Sequence, residues 1–125
     1  MTGFAQGGRM LRFSHTAVGV QQGRAFLFSA FEDNGPMWTG TGARVQHVPV
    51  SFPTPFLGLP AVHVGLSMWD ISVEANQRVD IAAEEVTATG FTLVFRTWGD
   101  TRVARVRADW LAIGPTDHVD DFAVD

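Results

Sequence analysis

The sequence contains no cysteine and no tyrosine, all nine of its basic residues are arginine, and it has no long apolar run. Without cysteine, disulfide bonds, thiolate metal sites and cysteine nucleophiles are excluded. The N-terminal residues lack the apolar stretch of a signal peptide or a membrane helix, so we expect no membrane insertion. The product is expected to remain cytoplasmic after synthesis, or to leave the cell by lysis or as part of a virion-like particle.

The composition predicts one folded domain. With 125 residues, of which 46% are hydrophobic, the chain is long enough to bury a core and too apolar to be disordered. It carries 13 acidic against 9 basic residues. A net negative charge argues against a protein that binds nucleic acid by attraction to its phosphates.

Apolar residues alternate with polar ones in several short stretches, and no stretch keeps a helical period over three turns. Short strands at roughly ten-residue spacing, with turn residues between them, indicate an antiparallel sandwich or barrel. Pro49 cannot donate to a sheet ladder, so its strand is expected at an edge or at a bulge. Along the strand at 61–69, Leu66 and Met68 are predicted to face inward and Trp69 outward. The candidate strands are 24–31, 43–52, 61–69, 78–84, 91–96 and 104–110.

Residues 91–114 are predicted to form a pair of strands joined by a tight turn. Phe91, Leu93 and Phe95 alternate with polar residues before the turn, and Val106 and Trp110 lie on the apolar side of the strand after it. The turn is predicted at 98–101, where Gly and Asp are adjacent. By parity, Trp98 falls on the face away from the core.

The sequence offers no catalytic constellation. The four histidines lie far apart and show no metal-ligand spacing. There is no nucleophile motif, no phosphate-binding loop, and no pair of carboxylates on one strand face. We therefore expect a protein without enzymatic activity, metal or cofactor.

A series of residues in a fixed order resembles the H-type lectin domain, the family of the snail agglutinins and of the C-terminal part of discoidins. The resemblance covers residues 18–114. It implies a six-stranded antiparallel β-sandwich that assembles as a homotrimer, or as two stacked trimers, and binds galactose or N-acetylgalactosamine between protomers. The positions that carry it are 45–52, Pro53 or Pro55, 60–62, Leu66, Ser67, Asp70, Arg78, Val79, Val86, 89–91, Thr97, Trp98, Asp100, Thr101 and 110–113, with a weaker match at 20–23.

The resemblance also implies site residues. The family's Arg matches Arg78 and its Trp matches Trp98, while Gly99 stands at the polar neighbour of that Trp, with Asp100 adjacent. The loop expected to come from a neighbouring protomer aligns near residues 39–42, which include Thr41. The family's Tyr is replaced by Ala104, and Asp33 is a substitute for the loop carboxylate only if its own loop folds back. An aromatic ring stacks on a sugar and a guanidinium donates to its hydroxyls.

Several side chains have two interpretations. Trp98 is either a stacking platform or a residue of the protomer interface, because interfaces enrich tryptophan. Arg78 contacts sugar or forms an ion pair with Asp80 or Asp70 across the protomer interface. Trp38 is either a lid over the site or a plug into the neighbouring chain.

His63 and Trp69 suit close packing at a three-fold axis. Arg96, Arg102, Arg105 and Arg107 are expected to be solvated or paired with the acidic tail.

These observations predict three regions and two candidate functions. Residues 1–17 form an arm with a possible first strand, 18–114 the lectin-like sandwich, and 115–125 an acidic tail. The first function is a homotrimeric lectin that binds cell-surface glycans, as in cell adhesion. The alternative is a structural spike, fibre base or adaptor of a phage-like particle, which would contact other particle proteins through the terminal arms.

Overall fold

The computed structural model describes residues 2–14, 17–30 and 35–117. In these ranges the chain forms six strands and one short helix. They are β1 (Ala17–Ser29), α1 (Pro36–Thr39), β2 (Arg44–Ser51), β3 (Ala61–Ile71), β4 (Val79–Glu84), β5 (Gly90–Thr97) and β6 (Val103–Thr116). No helix in the described part of the chain is long and apolar enough to cross a membrane.

The strands form two antiparallel sheets of three strands each. The first sheet has the order β1-β6-β3, and the second has the order β2-β5-β4. Apolar residues from both sheets meet in one core, as the alternating pattern requires of half-buried strands. The predicted class, an all-β sandwich of six antiparallel strands, is confirmed.

The predicted pairing of β5 with β6 is wrong. β5 pairs with β2 and β4, whereas β6 pairs with β1 and β3, so residues 98–102 cross from one sheet to the other. Each of these strands is central in its sheet, and Leu93 and Phe95 of β5 and Val106 of β6 are fully buried. Crossing between sheets brings the two most deeply buried strands face to face across the core, which buries more apolar area than an in-plane hairpin would.

An aromatic cluster fills one end of this core. Phe52, Phe91 and Trp110 lie within 6 Å of each other, with ring centroids 5.8 Å apart for Phe52 and Phe91 and 5.7 Å apart for Phe91 and Trp110. Gly23 lies opposite Trp110, and a Cβ at this position would come within 2.6 Å of the indole. The glycine therefore makes room for the tryptophan that the sequence predicts in the core.

Pro49 confirms the expectation for its strand. β2 is an edge strand, with β5 as its neighbour and Pro49 opposite Thr92. Inward-facing Val48 and Val50 pack against the core from this edge. The missing N–H of Pro49 therefore interrupts no second ladder.

A bulge in β3 changes the predicted faces of Met68 and of Trp69, which lies opposite the buried Val106 although 57% of Trp69 is exposed. The register of β3 on β6 shifts between Leu66, which lies opposite Ala108, and Met68, which lies opposite Arg107. Met68 therefore shares the outer face with Arg107 and does not point inward as predicted. The guanidinium of Arg107 donates to the hydroxyl and to the carbonyl of Ser67, both over 3.1 Å, and so fixes the extra residue.

The ends of the sandwich differ from the predicted boundaries. β6 continues through Thr116, which lies opposite Ala17 at the start of β1. Residues 2–14 have no regular secondary structure, and most of their side chains are exposed. The acidic tail beyond residue 117 and Asp33 lie outside the described residues.

Candidate functional site

Three connections meet at one end of the sandwich. The segment 40–42 precedes β2, residues 72–78 join β3 to β4, and residues 98–102 join β5 to β6. The backbone N–H of Gly42 donates to the carbonyl of Gly99 over 2.9 Å. Asn76 contacts Asp100 in the same region. Residues that are far apart in sequence are thus assembled around residues 98–102, which we call the Trp98 loop.

An exposed ion pair lies at the centre of this region. Nη1 of Arg78 donates to Oδ1 of Asp100 over 2.8 Å. Asn76 binds the same carboxylate with its backbone N–H over 3.4 Å and with its side-chain amide over 3.3 Å. Asp100 is therefore fixed by donors from the preceding connection, while much of its side chain remains open to solvent.

Two buried threonines hold the backbone beneath the ion pair. Thr101 Oγ accepts from the N–H of Arg78 over 3.0 Å and donates to the carbonyl of Asn76 over 2.6 Å. Thr97 Oγ donates to the carbonyl of Arg78 over 2.6 Å. Since both hydroxyls are buried and satisfied, they fix the backbone on either side of the Arg78 side chain.

Trp98 stands beside this pair. It is 45% exposed, and the next residue, Gly99, has a φ of 70°. A Cβ on Gly99 would lie 3.4 Å from Nη1 of Arg78. The guanidinium therefore lies against the glycine that separates Trp98 from Asp100, and the left-handed backbone there favours glycine.

Hydrogen bonding lowers the pKa of Asp100. The largest cause is the backbone N–H of Asn76, the Asn76 amide and the Arg78 charge act in the same direction, and partial desolvation opposes them. Asp100 therefore remains a carboxylate, which is a hydrogen-bond acceptor only. Beside it, the Arg78 guanidinium offers fixed donors and Trp98 offers an apolar surface.

The structure brings the predicted site residues together. Arg78, Gly99 and Asp100 contact one another, Trp98 precedes Gly99 in the same loop, and Thr41 precedes Gly42, which is bonded to Gly99. Ala104 is buried and is therefore not at a ligand-facing position. No group of His, Asp and Glu side chains in the ranges 2–14, 17–30 and 35–117 is arranged to hold a metal ion.

The two carboxylates that were expected to pair with Arg78 pair with other arginines in this chain. Asp80 lies 3.8 Å from Arg96, and Asp70 lies 3.3 Å from Arg105. Arg78 is instead paired with Asp100. Asp100 lies in a loop, so the alternation of side chains along a strand does not predict this contact.

Trp38 makes contacts within its own chain. It lies in α1 and packs against the core of its own chain, with the guanidinium of Arg102 4.5 Å from the ring centroid. Arg102 also donates to the Trp38 carbonyl over 3.1 Å, so it is neither simply solvated nor dependent on the tail. Trp38 therefore supports the end of the sandwich from within.

Sequence reasoning did not identify Asn76 and Arg44 as part of this region. Asn76 lies two residues before Arg78 in a polar connection, and its polarity was the only signal. Arg44 opens β2 and donates to carbonyls of three different segments. Such contacts depend on tertiary proximity, because an arginine at the start of a strand is also typical of a solvated residue.

The sequence of this chain matches a known domain family. The family model of the H-type lectin domain matches residues 47–113, which is more than half of the chain. The chain belongs to the H-type lectin domain family. This finding confirms the resemblance carried by the ordered residues from β2 to β6. Of the candidate site residues, the match includes Arg78, Trp98, Gly99 and Asp100, and Thr41 lies before it.

A bacterial relative matches nearly the whole chain. The protein called ATP synthase subunits region ORF 7, from Fuscovulum blasticum, is 55% identical over 116 residues, which are 93% of this chain and all of that protein. The relative and this chain are therefore of similar length.

Two solved structures share the fold. Recombinant discoidin II of Dictyostelium discoideum superposes with a TM-score of 0.69 at 28% identity, over 84% of this chain and 40% of discoidin II. The chain thus spans less than half the length of that protein. The tailspike protein gp49 of Pseudomonas phage LKA1 has a TM-score of 0.57 at 22% identity, over 78% of this chain and 15% of gp49. The tailspike likeness shows the fold alone.

Proposed function

We propose that this protein is a carbohydrate-binding module, with its site at Trp98, Gly99, the Arg78–Asp100 pair and Thr41. The observation that carries the proposal is the half-exposed Trp98 beside a fixed pair of a guanidinium and a carboxylate. Membership in a family of lectin domains supports it. The ligands are galactose-type or N-acetylgalactosamine-type sugars, or other surface glycans.

The physical chemistry of the three groups matches a sugar. One face of a pyranose is apolar and stacks on an indole, while its hydroxyls both donate and accept hydrogen bonds. Asp100 supplies acceptors and Arg78 supplies donors, and their opposite charges make the pair neutral as a whole. A neutral polyol therefore suits the site better than an anion, which the carboxylate would repel.

Titration of intrinsic tryptophan fluorescence with galactose, N-acetylgalactosamine and glucose, together with a glycan array, tests this function. We expect Trp98→Ala to weaken binding by about tenfold or more, as the loss of an aromatic anchor commonly does. Trp69→Ala is the matched control, because Trp69 is also exposed (57%) but lies on β3, in the other sheet. If the wild-type protein binds no glycan on the array and its fluorescence does not change at millimolar sugar, the proposal is contradicted.

The proposed assembly is a homotrimer, or two stacked trimers. It is supported by the outer face of the first sheet, where Val18, Val20 and Phe26 of β1 are all more than half exposed. Leu111 and Ile113 of β6 lie beside them in the same sheet. A soluble chain rarely leaves so much apolar surface open, and covering it with further copies removes it from water.

Assembly would turn weak single sites into useful avidity on a glycan-coated surface, such as that of a cell. Light scattering coupled to size-exclusion chromatography measures the oligomer directly. A mass of three or six chains is expected, and a monomer at micromolar concentration would contradict the proposed assembly.

A second candidate is a structural role in a phage-like particle, as a spike, fibre base or adaptor. The observation that favours it is the N-terminal arm (residues 2–14), in which Phe4 and Met10 are 88% and 73% exposed. The fold shared with a phage tailspike protein is consistent with this role. Such an arm would bind other particle proteins, and the chain would be released by lysis or packaging.

Deletion of residues 1–9 separates the two functions. These residues precede β1, and residues 2–9 have no part in either sheet, so the truncated chain is expected to fold and to retain sugar binding if it is a lectin. An adaptor would instead lose attachment to its particle, measured by co-sedimentation with purified particles. Attachment that survives the deletion would contradict the arm-mediated role.

A further inference from the structure

Arg44 connects three segments around the candidate site. Its Nε donates to the carbonyl of Gly42 over 3.0 Å, and Nη2 donates to the carbonyl of Gly99 over 3.2 Å. Its Nη1 donates to the carbonyl of Met37 over 3.1 Å and, at 3.4 Å, to that of Pro36. One side chain thus binds α1, the segment before β2 and the Trp98 loop.

The geometry explains why this residue is an arginine. A guanidinium presents five N–H donors in a rigid plane, so it can reach carbonyls that lie in different directions. A lysine ammonium offers three donors from a single atom and cannot span the same separation. Burial lowers the pKa of Arg44, but a guanidinium remains protonated, so the donors persist at all ordinary pH values.

The contact with Gly99 is reinforced by a second bond. The carbonyl of Gly99 accepts both from Nη2 of Arg44 and from the backbone N–H of Gly42. Gly42 and Gly99 have φ angles of 76° and 70°, so both turns adopt the left-handed backbone that favours glycine. The segment that carries Thr41 is therefore bonded, within one chain, to the loop that carries Trp98 and Asp100.

We propose that Arg44 is the positioning residue of the candidate site: it fixes the 40–42 segment against the Trp98 loop of the same chain. The inference rests on the proposed function for the identity of the ligand, but the positioning itself does not depend on it. The family resemblance predicts that this segment comes from a neighbouring protomer. The bonds of Arg44 hold this segment on the Trp98 loop of its own chain, so they set the geometry that a sugar meets.

Amide hydrogen exchange measured by NMR tests the positioning without any ligand. In Arg44→Lys and Arg44→Gln, we expect the Gly42 N–H to exchange about tenfold or more faster than in the wild type, because its acceptor is no longer held in place. Arg105→Lys is the matched control, since Arg105 is an exposed arginine paired with Asp70 on β3. Unchanged Gly42 exchange in Arg44→Lys would overturn the proposal.

Sugar affinity supplies the second readout. Measured well below the melting temperatures of both proteins, the affinity of Arg44→Lys for galactose is expected to fall about tenfold or more. A residue with only a structural role would lower the melting temperature and leave the affinity of the folded protein unchanged, and that result would also overturn the proposal. If the wild type binds no sugar, the proposed function fails, while the Gly42 exchange result still decides the role of Arg44.

Should both variants fail to fold, the wild-type chain decides the question. The Nε–H of Arg44 is expected to exchange slowly and that of the exposed Arg9 rapidly. Equal exchange rates of the two groups would show that the guanidinium is not held on the carbonyls and would overturn the proposal.

Discussion

Nη1 of Arg78 lies 2.8 Å from Oδ1 of Asp100, across a glycine that leaves room for the guanidinium. Because Asn76 binds the same carboxylate, the connection before β4 is bonded to the loop after β5. The position of Trp98 relative to both charged groups is thereby set by the backbone of the Trp98 loop.

Asp100→Asn is expected to reduce galactose affinity by about tenfold or more, because the charged acceptor is lost and Arg78 is left without its partner. The melting temperature should change little, since exposed ion pairs contribute little to stability. Fluorescence titration and thermal unfolding measure the two effects. Asp70→Asn removes a comparable exposed pair with Arg105 and should leave affinity unchanged; equal losses in the two variants would contradict a specific role for Asp100.

The pKa of Asp100 predicts how the site responds to acid. Because the folded-state pKa is lowered, its contribution to stability is present above the unfolded-state pKa and is lost as the pH falls through the lower folded-state value. NMR titration of the side-chain carboxyl carbon should therefore give a midpoint below the ordinary value of 3.8. Sugar binding should be constant from neutral pH down to about pH 5, which lies above the ordinary Asp range.

Asn76→Ala should raise the pKa of Asp100 part of the way towards its ordinary value, since the side-chain amide is removed and the backbone N–H remains. Asp109 serves as an internal control in the same spectra, because its pKa is lowered chiefly by Arg24, on the first sheet. A midpoint for Asp100 at or above 3.8 in the wild type would contradict the described geometry.

Gly99→Ala should destabilise the fold by about 1–2 kcal/mol, the usual cost of a side chain in the left-handed region, and should displace the guanidinium of Arg78. A drop of several degrees in melting temperature and weaker sugar binding are expected. Gly65→Ala is the control, because a Cβ there meets no atom within 4 Å and no positive φ is involved. A Gly99→Ala protein as stable as Gly65→Ala would contradict the strained turn.

Val20→Glu should shift the protein to a smaller assembly, because it places a charge on the outer face of the first sheet, where Val20 is 61% exposed. Light scattering gives the mass, and circular dichroism checks that the fold is retained. Val73→Glu is the matched control, since Val73 is exposed in the connection between β3 and β4. An unchanged mass for Val20→Glu would show that copies associate through another surface.

The affinity of a single site for free sugar distinguishes an effect on assembly from an effect on sugar recognition. Val20 lies in β1, in the sheet opposite to β5, so Val20→Glu should leave the affinity of one site for free galactose unchanged while weakening attachment to a galactose-coated surface. Loss of affinity for the free sugar in this variant would place the assembly surface at the site itself.

The sequence by itself determined the core-facing side of β5. Phe91, Leu93 and Phe95 are buried as the alternation predicts, because side chains of a strand point to opposite faces with period two. The ordered family residues likewise identified the sandwich and pointed to Arg78 and Trp98. These properties are local, or are carried by residue identities along the chain, and therefore can be read without coordinates.

Only the tertiary structure decided which elements contact one another. An apolar strand, a turn and a second apolar strand give the same local pattern whether the strands pair side by side or stack in opposite sheets, and the packing of the whole core selects between them. The same holds for Met68, which a bulge moves to the outer face, and for Asn76 and Arg44, whose partners are distant in sequence. A hydrogen bond between distant residues exists only after the fold has brought its two atoms within about 3 Å.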